Sequence, residues 1–106
     1  MQEFIPVANT MIGEEEAKAA YETVKSGWLS MGKKVASFEK MFADYIGSRF
    51  AIACNNGTSA LHLALISLNL EAGSEILIPD ITFISTANAV VYENLVPVIV
   101  ECDPKT

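Results

Sequence analysis

Positive charge is scarce in this 106-residue chain, in which lysine and arginine together number seven against thirteen aspartates and glutamates. The formal net charge of −6 excludes broad electrostatic attraction to nucleic acid or to an anionic membrane surface. We therefore expect neither among the partners of the protein. A local basic spot remains open, because Lys33 and Lys34 are adjacent.

Long apolar runs, cysteines and histidines are also few. No uninterrupted apolar stretch approaches the ~20 residues that span a bilayer. The two cysteines, Cys54 and Cys102, follow no metal or redox pattern, and the segment "MQEFIPVANT" has no basic stretch followed by an apolar one. Both features indicate a reducing, cytoplasmic location without a secretory signal.

The single histidine, His62, has no second ligand in a recognisable spacing, which predicts a structural role and no metal site.

Hydrophobic residues make up 51% of the chain, and they recur with clear periodicity. The pattern predicts helices over residues 13–27, 35–47, 58–69 and 83–94. It predicts buried strands at "RFAIAC" (49–54), "EILIP" (75–79) and "VPVIVEC" (96–102). The resulting β-α-β-α-β order after two helices indicates an α/β fold with parallel strands and right-handed crossovers.

Each of the first three helices carries an apolar stripe along one face. The stripes consist of Ala17, Ala20, Tyr21 and Val24; of Val35, Phe38, Met41, Phe42 and Tyr45; and of Leu61, Ala64, Leu65 and Leu68. His62 falls outside the third stripe.

The chain is expected to form one incomplete domain. Residues 1–48 would supply an N-terminal arm and two helices, and residues 49–106 would begin an α/β domain. Three strands leave a small sheet with two bare edges, which usually need covering. The order of elements, which stops just after a strand, therefore predicts the first part of a larger α/β domain.

The segment "CNNGTSALHLAL" (54–65) runs from a polar turn into a helix at the sheet edge where open α/β folds bind ligands. Gly57 would let a ligand approach the backbone, and the N–H groups of Gly57, Thr58 and Ser59 would be unpaired at the helix start. Such a turn suits phosphate. A helix cap by Thr58 explains the segment equally well, since it matches neither the dinucleotide fingerprint nor the P-loop.

Three further residues follow strands at the same edge. Phe83 could stack on a planar ring or pack in the core. Asp80 and Asp103 could bind polar groups or cap turns.

Taken together, the segments resemble a known family. "SGWLSMGKKVASFEKMFADYIG", "AIACNNGTSALHLAL", "GSEILIPDITFISTANAV" and "VPVIVECDPKT" are similar, in order and spacing, to the N-terminal third of the DegT/DnrJ/StrS-type sugar aminotransferases. The resemblance covers residues 4–106. It implies the three-layer α/β/α large domain of the fold type I enzymes and the cofactor pyridoxal 5'-phosphate (PLP).

The same resemblance implies roles for individual residues. Gly57, Thr58 and Ser59 would hold the PLP phosphate, and Phe83 would stack on the pyridine ring. Ser30, Met31 and Gly32, in a mobile loop "WLSMGKKV", would contact a nucleotide-sugar substrate.

The implied reaction moves an amino group from glutamate to the keto sugar of a nucleoside-diphosphate sugar. The overall look is closest to enzymes that aminate C4 of 4-keto-6-deoxy sugars, and members are typically homodimers. Such enzymes serve polysaccharide, glycan or antibiotic sugar pathways.

The catalytic residues of the family are expected beyond Thr106. A transaminase needs a lysine for the Schiff base and an acid on the pyridinium nitrogen. None of the lysines here stands in the family's lysine context, so we expect the chain by itself to be inactive. Two alternatives stay open: a PLP-dependent sugar dehydratase of the same family, with histidine in place of that lysine, and a stand-alone phosphate- or nucleotide-binding module.

Overall fold

The structure, a computed structural model, describes residues 4–105, so that residues 1–3 and Thr106 lie outside the described part. Within it, the elements in chain order are α1 (Glu14–Lys25), α2 (Lys33–Ile46), α3 (Gly57–Leu68), β1 (Glu75–Pro79), α4 (Ser85–Tyr92) and β2 (Val96–Val100). All four predicted helices are confirmed. Two compact units divide the chain, one up to Ala51 and one from Ile52 onward.

The helices of the first unit begin and end where local chemistry dictates. Three glutamates occupy the first turn of α1 and Lys25 its last turn, which matches the helix dipole. The Gly13 N–H donates to Glu16 Oε2 over 2.7 Å, and this bond lowers the pKa of the Glu16 carboxyl. Gly47 ends α2 in the left-handed conformation, with φ of 76°.

The apolar stripes predicted on these two helices are largely exposed within this unit. Tyr21 and Val24 of α1 are exposed, and so are the aromatic residues of the α2 stripe. Val35 alone of that stripe is half-buried, while Ala43 is buried. The stripe residues are exposed to solvent because α1 and α2 do not pack against each other within this unit.

The second unit is built around a parallel pair of strands. Residues of β1 and β2 stand opposite each other from Glu75↔Val96 to Pro79↔Val100. The connecting helix α4 covers one face of the pair, so that Ile78 is buried while its neighbour Leu77 points to the open face. The core consists of Ile78, Val90 and Leu95, against which Leu65, Ile76 and Ala87 pack.

The first predicted strand, residues 49–54, is not part of the sheet. The described sheet has two strands, which pair with each other, and this segment lies in neither. Phe50 and Ile52 are 73% and 82% exposed rather than buried. A strand exists only through a paired neighbour, so an apolar sequence is not sufficient to place one. The α/β class with parallel strands is confirmed by β1, α4 and β2.

The buried face of α3 also differs from the predicted stripe. Thr58, His62 and Leu65 are half-buried at spacings of four and three residues, whereas Leu61 and Leu68 are exposed. This face packs toward α4. A histidine is tolerated there because its ring nitrogen has a hydrogen-bonding partner on the neighbouring helix end.

Candidate functional site

The turn that opens α3 is capped by Asn56. Its backbone is extended, with φ of −165° and ψ of 171°, and its Oδ1 accepts the Ser59 N–H over 2.9 Å. Its carbonyl oxygen accepts the first intrahelical bond from Ala60 N–H at 3.1 Å. The alternative in which Thr58 caps the helix is therefore wrong. The sequence carried the signal, since asparagine is among the best capping residues.

Capping by Asn56 reduces the number of backbone N–H groups that could bind an anion at this turn. The Ser59 N–H, which the sequence placed among three unpaired donors, is already occupied. In the described part of the chain, the N–H groups of Gly57 and Thr58 make no hydrogen bond. No acidic residue stands in this first turn. Two backbone donors at the positive end of the helix dipole, with the hydroxyls of Thr58 and Ser59 beside them, make a donor set suited to phosphate.

Gly57 keeps the approach to these donors open. A Cβ built on Gly57 would have no atom of the described chain within 4 Å. Its φ lies outside the left-handed region, so the backbone conformation itself does not demand glycine. The absent side chain leaves room next to the two free N–H groups. This arrangement accommodates a phosphate oxygen.

Phe83 lies between β1 and α4 and is 75% exposed. Its carbonyl accepts the Thr86 N–H at 3.0 Å, and the hydroxyls of Thr82 and Thr86 lie 2.8 Å apart across the same turn. The backbone of this segment is thereby tied to the start of α4. Within the described chain the ring therefore does not pack in a core and is open to a ligand.

Asp80 connects the segments that follow the two strands. Its N–H donates to the Val100 carbonyl at 3.0 Å, and its Oδ1 accepts the Cys102 N–H at 3.1 Å. The Cys102 thiol, followed by backbone N–H groups, lowers the pKa of the Asp80 carboxyl. Asp103 Oδ1 accepts the Lys105 N–H at 2.8 Å. Each aspartate thus accepts a backbone N–H, as expected if it caps a turn rather than binds a polar ligand.

His62 has a structural partner. Its Nε2 lies 2.6 Å from Glu93 Oε1, and its ring meets the Tyr92 ring edge-on with centroids 5.4 Å apart. Sequence reasoning missed Glu93, which lies 31 positions away. Between residues 4 and 105, no group of three or more His, Cys, Asp or Glu side chains is placed to hold a metal ion.

The segment that leads into α2 is anchored by Trp28, which the sequence analysis did not single out. The indole Nε1–H donates to the Met31 carbonyl over 3.2 Å, and the Trp28 N–H donates to Ser26 Oγ at 3.2 Å. A Cβ on Gly32 would lie 2.3 Å from the indole Nε1. A side chain at this position would therefore have to displace the indole that lies over it.

A cavity of about 700 Å³ adjoins this segment within the first unit. Its walls include Trp28, Ser30, Gly32, Lys33 and Lys34. The volume falls in the range of small-molecule sites, and the two lysines bring positive charge to the start of α2. Of the residues predicted to contact substrate, Ser30 and Gly32 line the cavity, while Met31 holds the indole through its carbonyl.

The helices seen between residues 4 and 105 are each too short or too polar to cross a bilayer.

One protein family and several individual proteins are similar to this chain along most of its length. The model of the DegT/DnrJ/EryC1/StrS aminotransferase family matches residues 10–106. A GDP-perosamine synthase from Caulobacter vibrioides is 44% identical over 103 residues, which are 96% of this chain and 28% of that protein. The spore coat polysaccharide biosynthesis protein SpsC from Bacillus subtilis is 42% identical, over 97% of this chain and 26% of that protein.

Solved structures of an aminotransferase and of a sugar dehydratase share the fold of this chain. The aminotransferase from Psychrobacter cryohalolentis superposes with a TM-score of 0.79 at 34% identity, covering 88% of this chain and 24% of that one. An Escherichia coli GDP-4-keto-6-deoxy-D-mannose-3-dehydratase with bound hydrated PLP superposes with a TM-score of 0.81 at 27% identity, covering 92% and 27%. The chain spans about a quarter of the length of these proteins. Because the family model matches residues 10–106, the chain belongs to the DegT/DnrJ/EryC1/StrS aminotransferase family.

Proposed function

We propose that this chain supplies the cofactor-phosphate site of a PLP-dependent sugar aminotransferase. The whole protein would move an amino group from glutamate to the keto sugar of a nucleoside-diphosphate sugar. The observation that carries the proposal is the pair of free N–H groups on Gly57 and Thr58, at the start of a helix in a chain of this family. PLP bound to the E. coli dehydratase structure supports the choice of cofactor.

When bound, PLP supplies an electron sink for chemistry at the amino-bearing carbon. The residues of this chain would bind and orient it. Gly57 and Thr58 would donate their N–H groups to the phosphate, and the Thr58 and Ser59 hydroxyls would add two donors. Phe83 would cover one face of the pyridine ring.

The Schiff-base lysine and the acid on the pyridinium nitrogen would come from the remainder of the protein. The chain would then bind cofactor without transaminating.

We further propose that the segment around Trp28 takes the nucleotide-sugar substrate. The adjoining cavity has the size of a small-molecule site, and Lys33 and Lys34 would attract the diphosphate. Ser30 and Gly32 line it, and Met31 would contact substrate from the exposed side of the turn. The name of the Caulobacter relative, GDP-perosamine synthase, supports an amino sugar carried on a nucleoside diphosphate, consistent with a 4-keto-6-deoxy substrate.

A cytoplasmic homodimer is the proposed working form. The exposed aromatic stripe of α2, which includes Phe38 and Phe42, is apolar surface that a second subunit could cover. Light scattering on the full-length protein tests this, and a monomeric mass at micromolar concentration would contradict it.

The cofactor proposal is tested by calorimetric titration of the chain with PLP and with inorganic phosphate. Gly57→Val would place a branched side chain beside the two free N–H groups, and we expect it to weaken both ligands at least about tenfold. Ala60→Val, on the same helix but beyond the donors, is the matched control and should retain binding. Failure of the parent chain to bind either ligand would overturn the proposal.

The sugar dehydratase is a second candidate, which the E. coli neighbour favours. Incubation of the full-length protein with a GDP-4-keto-6-deoxy sugar and glutamate separates the two. An amino sugar as product supports the aminotransferase, whereas a 3-deoxy sugar supports the dehydratase. A phosphate- or nucleotide-binding module without cofactor chemistry would show no preference for PLP over phosphate.

A further inference from the structure

One polar contact ties together the two helices that would present the cofactor contacts. His62 Nε2 and Glu93 Oε1 are 2.6 Å apart, and each side chain is 32% exposed. The Tyr92 ring packs edge-on against the imidazole. The contact is therefore partly shielded from water, which makes it stronger than an exposed ion pair.

Each partner sits on an element that begins at the proposed site. His62 lies four residues after Thr58 on the same face of α3, one turn from the free N–H groups. Glu93 ends α4, the helix that begins two residues after Phe83. The pair thus joins the helix carrying the phosphate donors to the helix that carries the exposed ring.

Most large apolar side chains of α3 are exposed rather than buried against α4. Leu65 is the partly buried hydrophobic residue of α3 that packs against the core of Ile78, Val90 and Leu95. Other large apolar residues of α3, such as Leu61 and Ile66, are exposed. Hydrophobic contact is non-directional, whereas a hydrogen bond constrains both distance and angle.

We infer that His62 and Glu93 are positioning residues that hold α3 and α4 in the arrangement in which one ligand reaches both Gly57–Ser59 and Phe83. Neither side chain touches the cofactor in this inference. It rests on the proposed function, because it assumes that the phosphate and the aromatic ring of a single ligand are bound together.

The inference predicts a loss of selectivity rather than a general loss of binding. Glu93→Ala should weaken PLP about tenfold in calorimetric titration and leave inorganic phosphate within about twofold, because phosphate needs only the α3 turn. Glu93→Gln retains an oxygen that accepts the imidazole N–H, and it should keep the parent preference for PLP. His62→Ala should behave like Glu93→Ala, and the double variant should add little to either.

Controls separate positioning from folding. Glu101→Ala removes an exposed carboxylate from the same unit and should change neither ligand. Glu93→Asp shortens the side chain by one methylene and should give a partial loss of PLP preference if the alanine variant does not fold. Circular dichroism of each variant reports the helix content.

Each outcome bears on the inference. Equal weakening of PLP and phosphate by Glu93→Ala would mean a merely structural contact and would overturn it. Unchanged PLP preference in both Glu93→Ala and His62→Ala would overturn it and leave the proposed function standing. A parent chain that binds phosphate as tightly as PLP would overturn both.

Discussion

Trp28 lies so closely over Gly32 that a Cβ on the glycine would stand 2.3 Å from the indole Nε1. Nonbonded heavy atoms do not approach to that distance, so any side chain at position 32 must displace the indole. Displacement would also break the hydrogen bond from Nε1–H to the Met31 carbonyl, which is 3.2 Å long.

Gly32→Ala should therefore change the emission of Trp28, the single tryptophan of the chain. We expect a shift of the emission maximum and a loss of about 1 kcal/mol in the free energy of unfolding, as is typical when a hydrogen bond is broken. Gly13→Ala is the matched control, because this glycine also precedes a helix and a Cβ there would be 3.4 Å from Glu16 Oε2. Identical emission from Gly32→Ala and the parent chain would refute the account.

Asn56→Ala and Asn56→Asp separate the stability of the α3 turn from its anion affinity. Alanine removes the Oδ1 that accepts the Ser59 N–H, and urea unfolding should show a loss of about 1 kcal/mol. Aspartate keeps that acceptor and the stability, but its negative charge beside the donors should weaken inorganic phosphate several-fold. Tighter phosphate binding by the aspartate variant would argue against an anion site at this turn.

The Asp80 carboxyl should make stability depend on pH in the acid range. Its pKa in the folded chain is lowered, chiefly by the Cys102 thiol, so the folded state binds protons less readily than the unfolded state. The stabilisation is present above about pH 4 and is lost as pH falls through the folded pKa. Asp80→Asn should flatten the fall in the urea midpoint between pH 5 and 2.5, as measured at fixed ionic strength.

A carboxylate without this contact serves as the comparison. Glu101→Gln, which lies one residue from Cys102 in the same exposed segment, should preserve the acid dependence of the parent chain. An equally steep fall for Asp80→Asn would show that other groups carry it.

Treatment of the chain with PLP and borohydride should give no stoichiometric pyridoxyl-lysine. The proposed site holds the phosphate with N–H and hydroxyl groups of Gly57, Thr58 and Ser59, none of which forms a Schiff base. Mass spectrometry of the folded and urea-unfolded chain should show the same low, scattered labelling. Complete modification of one lysine in the folded chain alone would overturn the claim that the Schiff-base residue is missing.

Local chemistry was enough to place the helices and the turn. Three glutamates before the α1 stripe, Gly47 after α2 and the glycine-centred turn before α3 each act through their own backbone neighbourhood, so they can be read along the chain. The motifs that resemble the aminotransferase family are also local, and the family assignment is confirmed.

The strand predicted at 49–54 shows the limit of such reasoning. Its apolar residues fit a buried strand, but strand formation requires hydrogen bonds to a partner that local sequence does not specify. The structure forms two compact units, one up to Ala51 and one from Ile52 onward. That these units belong to one incomplete domain stays a prediction.

The sequence by itself determined that a helix follows the polar turn, with a predicted start at Thr58, one residue after the observed start at Gly57. Only the tertiary structure decided which face of α3 is buried and what His62 contacts. The helix is apolar nearly all round, because Leu63 and Ile66 lie off the stripe of Leu61, Leu65 and Leu68, so periodicity could not choose a face. The choice was made by α4 and by Glu93, because burying a face depends on a surface that lies far away in the sequence.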